Sequence, residues 1–249
     1  MMGASPPANA PHRFAHEAMA ARFDLWIAGR DRGYAAQAAR ACFDEIDRLG
    51  RLLSRYEEGS DIHRLNRLPV GESARVGEEP GRCLRLALRA QELTGGRFDV
   101  TAGRAIRERK EAPRDAPGPA HGEEDAGSRA GGFLLDPGRD FIARRAAGPE
   151  IDLGGIGKGF ALDEAARLLR DDWGIRDALF SAGGSSILAM GSAAPPGDAG
   201  WPVRLCGSAG SIELLLRDCA LGGSGTGFQG AHIVRPGGGP EDYRFRRVW

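Results

Sequence analysis

The sequence predicts an α+β protein in which a layered antiparallel or mixed sheet packs against helices. Short strand-like runs follow one another through tight turns, and a few long amphipathic helices interrupt them. The regular strand–helix alternation that would signal a parallel, doubly wound sheet does not occur. With 249 residues, 41% apolar and 27% charged, the chain can bury the core of one large domain or two small ones. We expect a flexible N-terminal tail over residues 1–14 and a single domain over residues 15–249. The segment 111–132 has almost no large apolar side chain, so it reads as a mobile loop inside that domain.

The first helix is predicted from Tyr34 to Leu53, where Ala39, Cys42, Phe43, Ile46, Leu49 and Leu53 recur at a spacing near 3.6. Ser60 is placed to cap a short helix through Asn66, with His63 on its exposed surface. A third helix starts near Pro80, carries Leu84, Ala87, Leu88 and Gln91 on one side, and stops at Gly95-Gly96, where glycine can adopt the left-handed closing conformation. Strands are predicted at Arg22–Ile27, Gly132–Asp136, Phe141–Arg145, Glu150–Leu153, Ala178–Ala182, Ile187–Met190, Pro202–Cys206 and Ile212–Leu216. A last helix runs from the glycines before Phe160 to about Arg170, with Phe160, Ala161, Ala165, Leu168 and Leu169 inward.

Composition excludes several function classes. Acidic and basic residues balance at 34 each, so the chain lacks the bulk positive charge that draws proteins to nucleic acid or anionic lipid. No apolar run reaches the roughly 18 residues of a membrane-spanning helix, and the N-terminus has neither the basic start nor the apolar stretch of a secretory signal. The expected location is cytoplasmic. Cys42, Cys83, Cys206 and Cys219 form no C-x-x-C pair, and three of the four are expected to be buried thiols.

The segment richest in chemical meaning is Glu150-Ile-Asp-Leu-Gly-Gly-Ile-Gly-Lys-Gly-Phe-Ala-Leu-Asp163, a short strand, a glycine-rich turn and a helix start. The first N–H groups of a helix lack partners and its dipole adds positive charge, so such a junction can cradle a phosphate. Lys158 stands out as one of two lysines against 32 arginines. The turn is not a Walker A loop, since Asp152 stands where the first glycine belongs and Gly159 follows the lysine. Gly155-x-Gly157-x-Gly159 also has the wrong final spacing for a dinucleotide fingerprint. By itself the loop reads either as a phosphate site or as a structural turn. Three other positions are equally open: His232 can be a core histidine or a functional one, Asp99 beyond a helix end can be a turn carboxylate, and Tyr56 can stack on a ring or plug a packing gap.

Taken in order, these segments resemble the ApbE family, the FAD:protein FMN transferases, from about Met19 to Pro240. The markers are Ser54-Arg-Tyr56 with Ser60 to Asn66, Gly96-Arg-Phe-Asp99, Asp152-Leu-Gly-Gly-Ile-Gly-Lys-Gly159 followed by Asp163, Ala182-Gly-Gly184, and Ser224-Gly225 leading to His232-Ile-Val-Arg-Pro236. The resemblance implies an ApbE-like, T-fold-like architecture. It also implies a magnesium-dependent enzyme that passes FMN from FAD to a Ser or Thr hydroxyl of an acceptor protein and releases AMP. Residue by residue, it makes Met19, Tyr56, Arg97, Phe98, Asp99, Asp152 and Lys158 contacts of FAD. Lys158 and His232 become catalytic, the histidine positioning or deprotonating the incoming hydroxyl, and the Gly155 carbonyl becomes a ligand of Mg2+.

The chain departs from the family pattern in three places. Met19-Ala20-Ala21 replaces Met-Gly-Thr, Arg235 replaces an aspartate, and no Ala-Asp-Ala-x-x-Thr metal-ligand segment occurs before Trp249. Two alternatives stay open on these grounds: a protein that holds FAD or FMN without transferring it, and a metal-dependent FAD pyrophosphatase that uses water as nucleophile.

Overall fold

The computed structural model describes residues 10–111, 132–136, 141–194, 199–207, 210–225 and 247–248. They fall into two compact units, each assembled from separate stretches of chain. One holds the described residues within 1–48 and 158–224, the other those within 49–157 and 225–248.

The first unit is built on a five-stranded antiparallel sheet. Its strands are β1 (His12–Ala18), β2 (Ala21–Ile27), β6 (Ala178–Ala182), β7 (Ser186–Met190) and β10 (Cys219–Gly222), hydrogen-bonded in that order. Register places Phe23, Leu25 and Ile27 opposite Ala182, Phe180 and Ala178. All six are buried, together with the apolar sides of α1 (Arg32–Leu52) and α5 (Gly157–Asp171). These two helices meet closely enough for the Cys42 thiol to donate to the Ala165 carbonyl at 3.6 Å. On the other face, the hairpin of β8 (Trp201–Gly207) and β9 (Gly210–Leu216) lays Trp201, Val203 and Leu216 against Ala28, Leu179, Ile187 and Ala189. Apolar residues alternating along each strand thus supply both layers.

The second unit pairs a three-stranded antiparallel sheet, in the order β3 (Ser73–Arg75), β5 (Phe141–Arg144), β4 (Phe133–Asp136), with α2 (Asp61–Arg67), α3 (Glu78–Leu93) and α4 (Gly103–Glu111). Its buried apolar residues include Ile62, Leu65, Val76, Cys83, Leu84, Ala87, Val100, Phe133, Ile142 and Ile151. Helix α3 closes as expected: the Gly96 N–H reaches back to the Gln91 carbonyl at 2.8 Å, with Gly95 at φ 60° and Gly96 at φ 78°.

An α+β protein with antiparallel sheets is therefore what the chain forms. Several local expectations need correction. β1 begins at His12, inside the stretch expected to be tail. Glu150–Leu153 forms no strand; it makes one isolated parallel bridge, from Glu150 to Ala102, whose N–H turns to the Asp99 carbonyl at 3.3 Å and does not continue the ladder. Cys206 and Cys219 are exposed on β8 and β10, so two thiols are buried and not three. Most of the segment 111–132 and His232 lie outside the described residues.

Candidate functional site

The second unit gathers most of the predicted site residues around the backbone of residues 150–152. On one side that backbone pairs with residues 100–103: the Glu150 N–H donates to the Thr101 carbonyl (3.2 Å), the Asp152 N–H to the Val100 carbonyl (2.9 Å), and the Gly103 N–H to the Glu150 carbonyl (2.9 Å). On the other side the Asn66 amide grips Ile151 in both directions. Its Nδ2 donates to the Ile151 carbonyl at 2.9 Å, and its Oδ1 accepts from the Ile151 N–H at 2.7 Å. A side-chain amide thus replaces a neighbouring strand and satisfies the buried polar groups.

Asn66 is held in place by its helix. The Ser60 hydroxyl caps α2 by accepting from the His63 N–H at 2.9 Å and donates to the Ser54 carbonyl. The Ser54 hydroxyl in turn accepts from the N–H groups of Tyr56 (3.1 Å) and Glu57 (3.2 Å). His63, expected on the open helix surface, is half-buried with Nδ1 3.1 Å from the Arg55 carbonyl. The loop so ordered sends Arg55 inward and Tyr56 outward. Tyr56 is 69% exposed, which rules out the packing-plug alternative and leaves its ring open to a ligand.

Arg55 was not singled out by the sequence, yet it ties the site together. Its side chain is 8% exposed. Nη1 donates to the Gly103 carbonyl and to Asp152 Oδ2, both at 2.8 Å, and Nη2 donates to Glu150 Oε2 at 3.2 Å. Arg107 reaches the other Glu150 oxygen at 3.0 Å, and the Arg55 guanidinium carbon lies 5.3 Å from the Tyr56 ring centre. Gly103, also missed, makes room for this: a Cβ there would lie 2.6 Å from the Glu150 carbonyl oxygen and 2.8 Å from Arg55 Nη1.

Asp152 uses both carboxylate oxygens. While Oδ2 takes the guanidinium, Oδ1 accepts the Gly154 N–H at 2.7 Å and folds the start of the glycine loop back on itself. The buried Leu153 then closes the first turn, its carbonyl accepting from the N–H groups of Ile156 (3.0 Å) and Gly157 (2.6 Å). Gly154 and Gly155 are left exposed in front of α5. The Phe98 ring sits against Gly155, whose Cβ would come within 3.0 Å of it. Asp99 Oδ1 accepts from both the N–H (2.8 Å) and the hydroxyl (2.7 Å) of Thr101, so it orders the turn beside Phe98. Arg97 is exposed.

The structure therefore brings Tyr56, Phe98, Asp99, Asp152 and Gly155 into one unit, with Arg97 beside them. Met19 and Lys158 belong to the other unit. Met19 forms the tip of the β1–β2 hairpin with Ala20, and Lys158 is the half-buried second residue of α5. Further along α5, burial and the neighbouring Glu164 push the Asp163 carboxyl above its ordinary range, with Arg167 partly offsetting them. Among the described residues no group of three or more His, Cys, Asp or Glu side chains is placed to hold a metal ion.

Comparison with known proteins gives a consistent picture. The ApbE family model matches residues 19–233. A protein of Klebsiella pneumoniae named FAD:protein FMN transferase is 28% identical over 160 residues, covering 61% of this chain and 45% of its own length. One of the same name from Buchnera aphidicola is 22% identical over 151 residues, or 58% of this chain and 44% of its own. The chain thus spans less than half the length of these curated relatives. Among solved structures, the flavin transferase ApbE from Vibrio cholerae superposes with a TM-score of 0.77 at 19% identity, covering 96% of this chain and 81% of that one. The ApbE protein of Thermotoga maritima gives 0.68 at 23% identity, covering 86% and 70%. These two likenesses establish the fold.

Proposed function

Because the chain belongs to the ApbE family, we propose that it binds FAD and transfers its FMN half to a Ser or Thr hydroxyl of an acceptor protein, releasing AMP. The observation that carries this reading is the loop ahead of α5. Asp152 and Leu153 take up the inner N–H groups, and Gly154 and Gly155 stand exposed at a helix start with Lys158 one residue inside it. A diphosphate concentrates negative charge, which a helix dipole and one lysine would offset, while the glycines let the backbone approach closely. Tyr56 and Phe98 offer flat apolar surface in the same unit as the loop.

In the step proposed, the acceptor oxygen attacks the FMN-side phosphorus and the bond from that phosphorus to the bridging oxygen breaks, so AMP leaves with that oxygen. The hydroxyl proton passes to His232, an imidazole being able to take up a proton and hand it on. Lys158 holds phosphate charge, and the loop keeps the phosphates in line for attack.

Dependence on Mg2+ belongs to the same reading, but the described donors do not hold such an ion by themselves. A hard cation takes about six oxygens, whereas the Gly155 carbonyl is one ligand and Asp152 already serves a guanidinium and an N–H. A second reading is a protein that holds FAD without cleaving it, since the Asp152 carboxylate is already engaged by Arg55 and the Gly154 N–H.

The deciding experiment follows AMP release from FAD, and flavin attached to a Ser/Thr acceptor peptide, with and without Mg2+. Metal-dependent AMP together with labelled peptide is the expected result. AMP and free FMN would mark a pyrophosphatase, and bound FAD with no AMP would mark the holding protein; either outcome contradicts transfer.

A further inference from the structure

Tyr56 and Gly154–Gly155 lie nearly a hundred residues apart in sequence, yet a single guanidinium touches the supports of both. Arg55 sits beside the Tyr56 ring and grips Asp152, whose second oxygen holds the Gly154 N–H. Its other donors go to the Gly103 carbonyl and Glu150, which fix where that grip occurs. A buried ion pair of this kind adds little stability over an apolar replacement, so geometry is the more informative consequence. Lysine cannot substitute: one ammonium lacks the planar fork that reaches two carboxylates and a carbonyl together.

We propose that Arg55 is a positioning residue that sets the Tyr56 ring and the Gly154–Gly155 loop in register by acting through Asp152. The idea deepens the flavin reading and rests on it for its consequence in binding. The coupling itself is a property of the folded protein and is measured without flavin.

The test uses the full chain carrying Arg55→Lys, Asp152→Asn or both, with Arg55→Met as a harsher companion. Hydrogen exchange of the Gly154 amide, FAD affinity from quenching of flavin fluorescence, and melting temperature are read on each. Arg55→Lys keeps the charge and is expected to fold with a nearly unchanged melting temperature. It should speed Gly154 exchange by about tenfold and weaken FAD binding by about tenfold. Adding Asp152→Asn to Arg55→Lys should then cost less than about twofold more, because both changes remove one linkage. Wild-type exchange at Gly154 in Arg55→Lys, or penalties that multiply independently in the double variant, would overturn the proposal. If the wild-type protein binds no FAD, the flavin reading fails, and the exchange of Gly154 decides the role of Arg55 alone.

Discussion

The hairpin tip Met19-Ala20 and the loop Gly154–Gly157 meet opposite demands on the backbone. At the hairpin, Ala18 pairs with Ala21, so two residues must turn the chain, and both take positive φ, 49° and 53°, with side chains attached. Asparagine and glycine usually fill such a turn. The glycine loop, in contrast, contains no residue at positive φ. Its glycines provide closeness: a Cβ at Gly154 would lie 2.9 Å from Asp152 Oδ1, and one at Gly155 would lie 3.0 Å from the Phe98 ring. Glycine is thus used where another group must approach, and a methionine is kept where the backbone itself would prefer glycine.

The largest loss is expected of Gly103→Ala, whose methyl would meet the Glu150 carbonyl oxygen at 2.6 Å and Arg55 Nη1 at 2.8 Å. Both neighbours are held, so the variant should lose about 3 kcal/mol in denaturant titration; a loss under about 1 kcal/mol would show that the segment yields easily. Gly155→Ala meets only the Phe98 ring edge, which can tilt, and should lose about 1 kcal/mol. Its companion Gly159→Ala enters open space in α5, so it should gain up to about 1 kcal/mol. Equal effects at 155 and 159 would mean that the close approach of Phe98 is unimportant. Ala20→Gly should raise stability by about 0.5 to 1 kcal/mol by relieving a left-handed alanine, and destabilisation would show the turn to be unstrained.

The smallest effect is chemical. Burial pushes the Cys42 and Cys83 thiols up to about 12, whereas Cys206 and Cys219 are exposed. A thiol reagent at pH 8 should therefore modify Cys206 and Cys219 in the native protein and reach Cys42 and Cys83 only after unfolding. Four thiols reacting at one rate would contradict the burial of α1 and α3.

Helices α1, α3 and α5 were legible because each carries an uninterrupted apolar stripe, and the cap at Ser60 because the hydroxyl stands three residues before a free N–H. Helix α4 was not, since Gly-Arg-Ala-Ile-Arg-Glu-Arg-Lys-Glu has almost no stripe; the Arg107–Glu150 ion pair helps to anchor it. Strand β1 was hidden by its histidines, one of which stacks on Phe43 and reaches Asp47 at 2.9 Å. Tyr56, Phe98, Asp99, Asp152 and Gly155 were singled out from short motifs and fall in one unit. Arg55, Asn66 and Gly103 were not, because each acts on backbone or carboxylate far away in sequence, where spacing carries no signal.

The loop ahead of α5 is proposed to receive a diphosphate, and a crystal structure of the chain with FAD tests this. Pyrophosphate density is expected against the Gly154–Gly155 backbone, with a ring of the ligand against Tyr56. Density for FAD elsewhere, or none at millimolar FAD, would contradict it.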